Sequence, residues 1–462
     1  MKLSSFTKPS SSFAGNVLKL ASGTVAAQFI VLLSAPILTR LFAPEAWGTL
    51  AIFTAITGIL GVIACMRYEL SIMLPEKDEE AANLFGVSLF FSLLISLLTV
   101  PIIWWGKEPI LRLLNAPGLG PYLWLIPITV FIHGIFLALN YWNSRTKHFG
   151  RLSIARVISS LASTFGKLGF GAAGYATAGT MIGATVAGQA VATTALGGQI
   201  WRDDRTIFFK SIRWQRMREG LIRYKKFPLF DSWAALMNTI SAQLPPLLLA
   251  FFFSSTIVGF YALGHRLLSM PMGLIGGAVA QVFFQRASVA KHEGNLAEVV
   301  RTTVTRLILF GSFPLLLVMI MGSELFSVVF GKQWAEAGIY AQILAPWILF
   351  VFFGSPISTL FLVLEKQRSH LVFNALLLGT RFASLLIGGF AGSILLSLAL
   401  YAGSGTVMWI GLCLYLVSKA GASVRSLSGY TLKVFTMALI VLLPVIFVKT
   451  YVSQPVLVVI SG

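Results

Sequence analysis

Runs of about twenty apolar residues recur along almost the whole chain, and they constrain its fold more than any other feature. A helix of that length crosses the hydrocarbon core of a bilayer, where only helices and closed barrels satisfy every backbone polar group. Hydrophobic residues make up 56% of the 462 residues and charged residues only 11%, more apolar surface than a soluble domain can bury. The sequence therefore predicts an all-α protein that crosses a membrane many times.

These runs predict thirteen membrane spans, each long enough to form one crossing helix. Whether a fourteenth helix begins at Pro455 stays open, because the final PVLVVISG is too short to cross by itself. The predicted spans are 15–39, 46–74, 81–104, 119–142, 152–175, 177–199, 228–253, 256–285, 301–322, 337–364, 370–391, 393–418 and 430–450.

Lysine and arginine concentrate in the loops on one side of these spans. Nine of them lie in the linker 200–227, whereas the loops on the opposite side hold only Arg40, Lys107, Arg112 and Lys332. The positive-inside rule predicts that the tail 1–14 and this linker lie in the cytoplasm. Because the bases flank apolar spans, the net charge of +19 indicates contact with anionic membrane lipids and no binding of nucleic acid.

The basic linker also divides the chain into two halves of six spans each, 15–199 and 228–418. Residues 419–462 add one or two further helices. A shift of 211 residues places Gly48 on Gly259, and a shift of 219 places Lys147 on Lys366, at the same stage of each half. Six spans per half give both halves the same orientation, which is a parallel repeat of the kind that transporters use. Such a repeat predicts a substrate path in a central cavity.

Several positive charges lie far inside the predicted spans. Arg67 stands eight residues before Pro75, near the end of the second span, and Arg266, next to His265, lies near the middle of the eighth. Lys167 and Arg381 occupy the fifth and eleventh spans. A guanidinium that faces lipid at mid-depth costs at least about 2.5–3.5 kcal/mol, so these groups are predicted to face a wet interior.

Pairing with a carboxylate is the alternative explanation for these charges. Glu69 lies at the same depth as Arg67 and is a candidate partner, but no comparable acid is near the other three cations in the sequence. Unpaired cations in a cavity indicate an anionic ligand, and a diphosphate fits the planar fork of arginine. The predicted substrate-binding residues are therefore Arg67, Lys167, His265, Arg266 and Arg381.

One acid stands early in the seventh span. Asp231 is followed seven residues later by Asn238 on the same helix face, and a carboxylate beside an amide can carry a proton or a sodium ion. A helix cap or an interfacial anchor close to Pro228 explains Asp231 equally well. No catalytic residue, cofactor or metal site is predicted, because both cysteines lie in apolar runs and the chain has no P-loop motif.

The order of several motifs resembles the O-antigen (Wzx-type) flippases, the bacterial polysaccharide-exporter branch of the multidrug/oligosaccharidyl-lipid/polysaccharide (MOP) superfamily. The resemblance runs from about residue 14 to about residue 420. The motifs that carry it are PILTRLFAPEAWGTLAIF, MRYELSIMLPEKDEEAANL, NYWNSRTKHFGRLSIARV, VGFYALGHRLLSMPMGLIGGAVAQVFFQRAS, ELFSVVFGKQWAEAG and LVLEKQRSH.

This resemblance implies two six-helix bundles around a central cavity, as in MATE transporters, and movement of an undecaprenyl-diphosphate-linked oligosaccharide to the periplasmic leaflet. It also implies a polysaccharide polymerase and a chain-length regulator as partners. A lipid II flippase and a drug or cation exporter of the same superfamily stay open as alternatives. A membrane polymerase or glycosyltransferase is less favoured, because those enzymes carry a sizeable outer loop with catalytic charges, whereas the predicted outer loops here are short.

Overall fold

A computed structural model describes the protein over residues 13–452, and within that range the chain forms helices and turns without any strand. The predicted tail 1–14 and the end of 419–462 fall largely outside it. The helices are α1 (Phe13–Leu41), α2 (Pro44–Val62), α3 (Tyr68–Ser71), α4 (Asp78–Leu113), α5 (Leu125–Arg145), α6 (Phe149–Ala172), α7 (Ala178–Ser211), α8 (Trp214–Arg223), α9 (Ser232–Phe252), α10 (Ser255–Pro271), α11 (Gly277–Glu293), α12 (Leu296–Phe330), α13 (Ala335–Ile357), α14 (Leu360–Val363), α15 (Gln367–Phe390), α16 (Ile394–Lys419) and α17 (Val424–Val452).

Each predicted span coincides with one of these helices or with a helix pair, so the all-α, multi-pass prediction is confirmed. Ten helices among the described residues are long and apolar enough to cross a membrane. The predicted spans at 152–175, 177–199 and 256–285 are helical as well, but they contain more glycine and polar residues than the ten. Small residues let neighbouring helices approach closely, which is how membrane helices pack without a hydrophobic driving force.

Several predicted spans are interrupted rather than continuous, and two of the interruptions lie close to the predicted site residues. In the second span α2 ends at Val62 and α3 begins only at Tyr68, because Met66 and Arg67 adopt left-handed backbone conformations with φ of 48° and 62°. In the eighth span Pro271 ends α10, and a single turn of π-helix, Met272–Gly276, leads into α11. Proline cannot donate the hydrogen bond that continues a helix, and π turns are frequent at functional sites.

The described chain forms two compact units, which divide between Gly259 and Phe260. In the first unit Trp142 packs in the core against Phe85 and Phe208, and its indole N–H donates to the Asp204 carboxylate at 2.8 Å. This bond ties the C-terminal extension of α7 to α5. In the second unit α17 packs through Ala438 and Leu442 on Leu316 of α12.

The thirteenth predicted span, α17, is hydrogen-bonded to the ninth, α12, at a kink. Met321 has non-helical dihedral angles inside α12, which releases carbonyl groups from the helix ladder. The Ile320 carbonyl accepts hydrogen bonds from Gln342 at 3.0 Å and from Lys449 of α17 at 2.7 Å. Lys449 also pairs with Glu324 at 3.0 Å, so α17 belongs to the fold of the second unit.

The predicted repeat is visible in the backbone. Lys147 and Glu365 both adopt left-handed conformations, with φ of 61° and 56°, at the turns that follow α5 and α14. At each turn the next amide donates to the carbonyl five residues earlier, from His148 at 2.9 Å and from Lys366 at 2.8 Å. The two turns are therefore related by 218 residues, one fewer than the shift predicted at this point.

The first turn of α10 crosses α2 in the first unit through two glycines that the repeat relates. A Cβ atom added to Gly48 would collide with the Ser255 carbonyl, and one added to Gly259 would collide with the Pro44 carbonyl. Since Pro44 and Ser255 are themselves 211 residues apart, the crossing is locally symmetric. Glycine is required because only its missing side chain permits this backbone contact.

The basic linker is folded and packs against the helices beside it. The Asn83 side chain of α4 donates to the Ser211 carbonyl at 2.9 Å and accepts from the Arg213 amide at 3.0 Å, which places α8 against α4. Arg151 donates to the exposed carboxylate of Asp203, and this guanidinium together with Arg202 holds the pKa of Asp203 below its ordinary value. Much of the basic charge of the linker therefore lies on an ordered surface.

Candidate functional site

The break in the second span exposes polar backbone that a continuous helix would hide. Short turns through residues 61–68 replace the regular helix ladder, and the Cys65 thiol donates to the Gly134 carbonyl of α5 at 3.3 Å. Beyond α3, Arg145 donates to the Ile72 carbonyl at 3.0 Å and to the Asp78 carboxylate at 2.9 Å. The thiol contact ties the break to α5, and Arg145 satisfies the Ile72 carbonyl beyond α3.

Arg67 lies between two carboxylates. Its Nε donates to Asp231 at 2.7 Å, and its Nη1 donates to Glu69 at 3.4 Å. Glu69 is fully buried, and its second oxygen has no hydrogen-bond partner in the described structure, whereas the Asp231 side chain is 44% exposed. The predicted Arg67–Glu69 pair is confirmed, and Asp231, predicted separately for an ion, joins the same cluster.

Asp231 ends a single turn of π-helix, Phe227–Asp231, that opens α9. Its carboxylate does not cap that helix, although capping was one of the two sequence-based explanations, and it accepts from Arg67 instead. Asn238 lies on α9 with an exposed side chain. The two carboxylates share one guanidinium, so the cluster has an excess negative charge that a proton or another cation can balance.

In the second unit Arg381 is held by aromatic rings. Its guanidinium carbon lies 5.5 Å from the ring centre of Trp347 and 5.9 Å from that of Tyr401. His265 stacks between Tyr261 and Trp347, with ring centres 5.4 Å and 5.8 Å away. The structure thus brings His265 and Arg381 onto the same aromatic cluster, where the buried Nε of Arg381 has no hydrogen-bond partner in the described structure.

The remaining two predicted residues lie elsewhere. Arg266 follows His265 on α10, is exposed, and forms no ion pair among the described residues. Lys167 is half-buried on α6 in the first unit. In the first unit Arg67 therefore joins carboxylates. In the second unit His265 and Arg381 join aromatic rings, and Arg266 has no ion pair among the described residues.

The aromatic residues around Arg381 were not predicted from the sequence. Tyr261 and His265 are four residues apart and so share a helix face, a signal that was present in the sequence. Trp347 and Tyr401 come from α13 and α16, and no spacing in the sequence relates them to Arg381. An arginine over an aromatic face gains about 0.5–2 kcal/mol and needs no carboxylate.

The protein shares sequence with known polysaccharide proteins. A sequence profile of the family described as "Polysaccharide biosynthesis protein" matches residues 37–338. Over 156 residues, 33% of this chain, the protein is 28% identical to the teichuronic acid biosynthesis protein TuaB of Bacillus subtilis (strain 168). That match spans only about a third (32%) of the length of TuaB.

The fold matches solved transporter structures. The lipid II flippase MurJ in its inward closed conformation is similar with a TM-score of 0.73 at 12% identity, over 92% of this chain and 93% of MurJ. An inward-facing multidrug resistance MATE family transporter of the MOP superfamily gives a TM-score of 0.69 at 14% identity, over 90% and 99% of the two chains. At such identities the similarity establishes the fold, and it confirms the fold that the sequence resemblance implied.

The fold is the one found in solved flippase and transporter structures. The profile match covers well over half of the chain, and the ten apolar helices make it a multi-pass membrane protein. The protein belongs to this family of polysaccharide biosynthesis proteins and has the MOP-superfamily fold.

Proposed function

We propose that this protein flips an undecaprenyl-diphosphate-linked oligosaccharide from the cytoplasmic to the periplasmic leaflet of the bacterial inner membrane by alternating access. The observation that carries the proposal is Arg266, an accessible guanidinium on a membrane-embedded helix that has no carboxylate partner among the described residues. An unpaired arginine there is costly unless a ligand supplies the negative charge. A diphosphate supplies it in a geometry that matches the guanidinium fork.

The family match and the TuaB relationship support a carbohydrate polymer as the final product. The fold of MurJ, whose name identifies it as a lipid II flippase, supports a lipid-linked intermediate as the transported form. A lipid-linked saccharide combines an anionic diphosphate with a long apolar tail, and the intramembrane arginines fit the anionic part.

Arg67 is the second proposed contact for the diphosphate. Its ion pair with Asp231 is partly exposed, so an incoming phosphate can replace that carboxylate at moderate cost. When the phosphate binds Arg67, the two carboxylates lose their shared cation and gain affinity for a proton or a sodium ion. Asp231, with Asn238 on the same helix, is the proposed coupling site for an ion gradient.

Substitution of Arg266 tests the proposed function. Loss of a charge-assisted hydrogen bond of about 1.5–3 kcal/mol weakens binding by roughly ten- to a hundredfold, so Arg266→Ala should accumulate lipid-linked oligosaccharide in the inner leaflet. Arg266→Lys should keep partial activity, because the charge survives and the bidentate grip does not. Lys433→Ala, on an exposed face of α17, is the matched control and should flip like the wild type.

Membrane protein is quantified beside leaflet-resolved lipid-linked sugar in each strain. Wild-type flipping per folded Arg266→Ala molecule would remove this residue from the substrate path. In proteoliposomes, transport of lipid II or of a cationic drug in place of the oligosaccharide would favour the alternative transporters of the superfamily.

The proposed orientation puts the N-terminus and α8 in the cytoplasm. A cysteine at Gln215, which is exposed on α8, should resist an impermeant thiol reagent in intact cells, whereas one at Ala173, after α6, should react. Labelling of Gln215→Cys from outside would reverse the topology and with it the proposed direction of transport.

A further inference from the structure

An apolar groove with a basic end lies between α11 and α12 in the second unit. Its volume is about 380 Å³, and it opens to the surface of the unit. The two helices are antiparallel and are joined at Gly294, whose φ of 78° permits the tight connection. The groove is lined by Ile275, Ala278, Val279, Val282, Phe283, Arg286, Thr303, Arg306, Leu307, Phe310 and Phe352.

The lining residues of α11 and α12 are sorted by polarity along the groove. Arg286 stands eight residues before Gly294, about 12 Å along its helix, and Arg306 stands ten residues after Leu296, about 15 Å along the other. The two arginines therefore line the groove at a similar height. Every apolar residue that these two helices contribute lies farther from the connection than the arginine on the same helix. The groove thus has two guanidinium groups at one end and hydrocarbon at the other.

Neither arginine is neutralised within the described part of the chain. Both side chains are exposed, and neither forms an ion pair or a hydrogen bond there. The acids nearest the connection are already engaged, because Glu298 pairs with Arg301 at 2.9 Å and Glu293 accepts from Asn295 at 3.2 Å. The groove itself contains no carboxylate.

We propose that this groove binds an anionic phospholipid of the surrounding membrane, with its phosphate between Arg286 and Arg306 and an acyl chain along the apolar residues. The order of charge and hydrocarbon matches the order of headgroup and tail in a lipid. The positive-inside rule places the connection after α11 in the cytoplasm, so the basic end lies at the level of the cytoplasmic headgroups. Basic pockets between membrane helices on that side are suited to anionic headgroups.

A second apolar groove of the same unit makes a useful contrast. It lies between α15 and α16, has a volume of about 570 Å³, and contains a single arginine, Arg368. Two guanidinium groups can hold one phosphate from both sides, whereas one gives a weaker and less directed contact. The α11–α12 groove is therefore expected to discriminate anionic from zwitterionic lipids more strongly.

Lipid binding to the purified full-length protein tests the proposal. Dioctanoyl phosphatidylglycerol is titrated and its retention measured by native mass spectrometry, with dioctanoyl phosphatidylcholine as the zwitterionic reference. Arg286→Gln and Arg306→Gln should each weaken phosphatidylglycerol binding about tenfold, and the double variant should bind both lipids alike. Val282→Trp, which fills the apolar part and keeps both charges, should also reduce retention.

Two matched controls accompany these variants. Arg301→Gln removes a base of the same helix that already pairs with Glu298, and Val328→Trp enlarges an exposed valine of α12 outside the groove. Both should bind phosphatidylglycerol like the wild type, and the melting temperature without lipid confirms that each variant is folded.

Equal binding of the two lipids by the wild type, or full phosphatidylglycerol retention by the double variant, would overturn the proposal. Displacement of phosphatidylglycerol by farnesyl diphosphate would also overturn it, because the groove would then belong to the carrier lipid of the substrate. The proposal is independent of the flipping assay, so failure of either leaves the other standing.

Discussion

Arg67 and Arg381 are both arginines inside apolar spans, yet the two units of the protein accommodate them in opposite ways. Arg67 lies at a helix break between two carboxylates, one buried and one partly exposed. Arg381 lies inside a continuous helix and is held by the faces of Trp347 and Tyr401. An ion pair can exchange one partner for another, whereas rings that are themselves buried are fixed. Arg67 in the first unit can therefore exchange its partner, whereas Arg381 in the second unit keeps its aromatic contacts.

The largest expected effect is on Arg67. Arg67→Met leaves the fully buried Glu69 without its cation, and breaking a buried pair in this way costs about 3–5 kcal/mol. The melting temperature in detergent should fall sharply. The double variant with Glu69→Gln should recover most of that loss, because no uncompensated buried charge remains. An unchanged melting temperature in Arg67→Met would show that Glu69 does not depend on this arginine.

Asp231→Asn should affect transport more than stability. Asp231 is 44% exposed, so its pair with Arg67 contributes at most about 1 kcal/mol to folding. If Asp231 couples transport to an ion, its substitution should slow flipping in proteoliposomes roughly tenfold. A tenfold change corresponds to the low end of the free energy of one charge-assisted hydrogen bond. Asn238→Ala is the companion variant on the same helix. Wild-type flipping that is indifferent to imposed proton and sodium gradients would reject the coupling.

Arg381→Met should lower the free energy of unfolding less than Arg67→Met does. This difference tests directly whether the two units accommodate their arginines in different ways. Arg381→Met removes a cation without stranding a carboxylate, so the expected loss is about 0.5–2 kcal/mol from the two aromatic contacts. No second substitution should be needed to restore folding. A loss of stability as large as that of Arg67→Met would reveal a buried counter-charge beside Arg381. Wild-type flipping per folded Arg381→Met molecule would exclude Arg381 from the substrate path.

The smallest effect is expected at an exposed arginine of the linker, which serves as a reference for Arg67 and Arg381. Arg223 of α8 pairs with Glu80 at 3.3 Å, and both side chains are about half exposed or more. Arg223→Gln should change the free energy of unfolding by about 0.2–1 kcal/mol, and salt should shrink the difference. A larger effect that persists at high salt would mean that Arg223 holds α8 to α4 by packing rather than by this exposed ion pair.

The thirteen spans and the membrane class were predictable because apolar length is a local property of the sequence. The repeat was visible in the sequence at Gly48 and Gly259, because a backbone contact there requires glycine in both halves. The break before Arg67 was not predictable, because residues 60–66 are all apolar or glycine and only packing against α5 and the start of α9 stabilises left-handed residues there. Hydropathy does not distinguish a turn from a helix inside a hydrophobic run.

The sequence by itself determined that this chain spans a membrane, that its basic residues concentrate in the loops on one side of the predicted spans, and which cations have no acid close by in sequence. Only the tertiary structure decided how each cation is accommodated. Asp231 stands 164 residues from Arg67, and Trp347 and Tyr401 lie 34 residues before and 20 residues after Arg381. Such partners are selected by helix packing, and a charge inside a membrane accepts carboxylates, aromatic faces or a ligand alike. The residue type fixes the need for a partner, and the packing of helices decides which partner meets it.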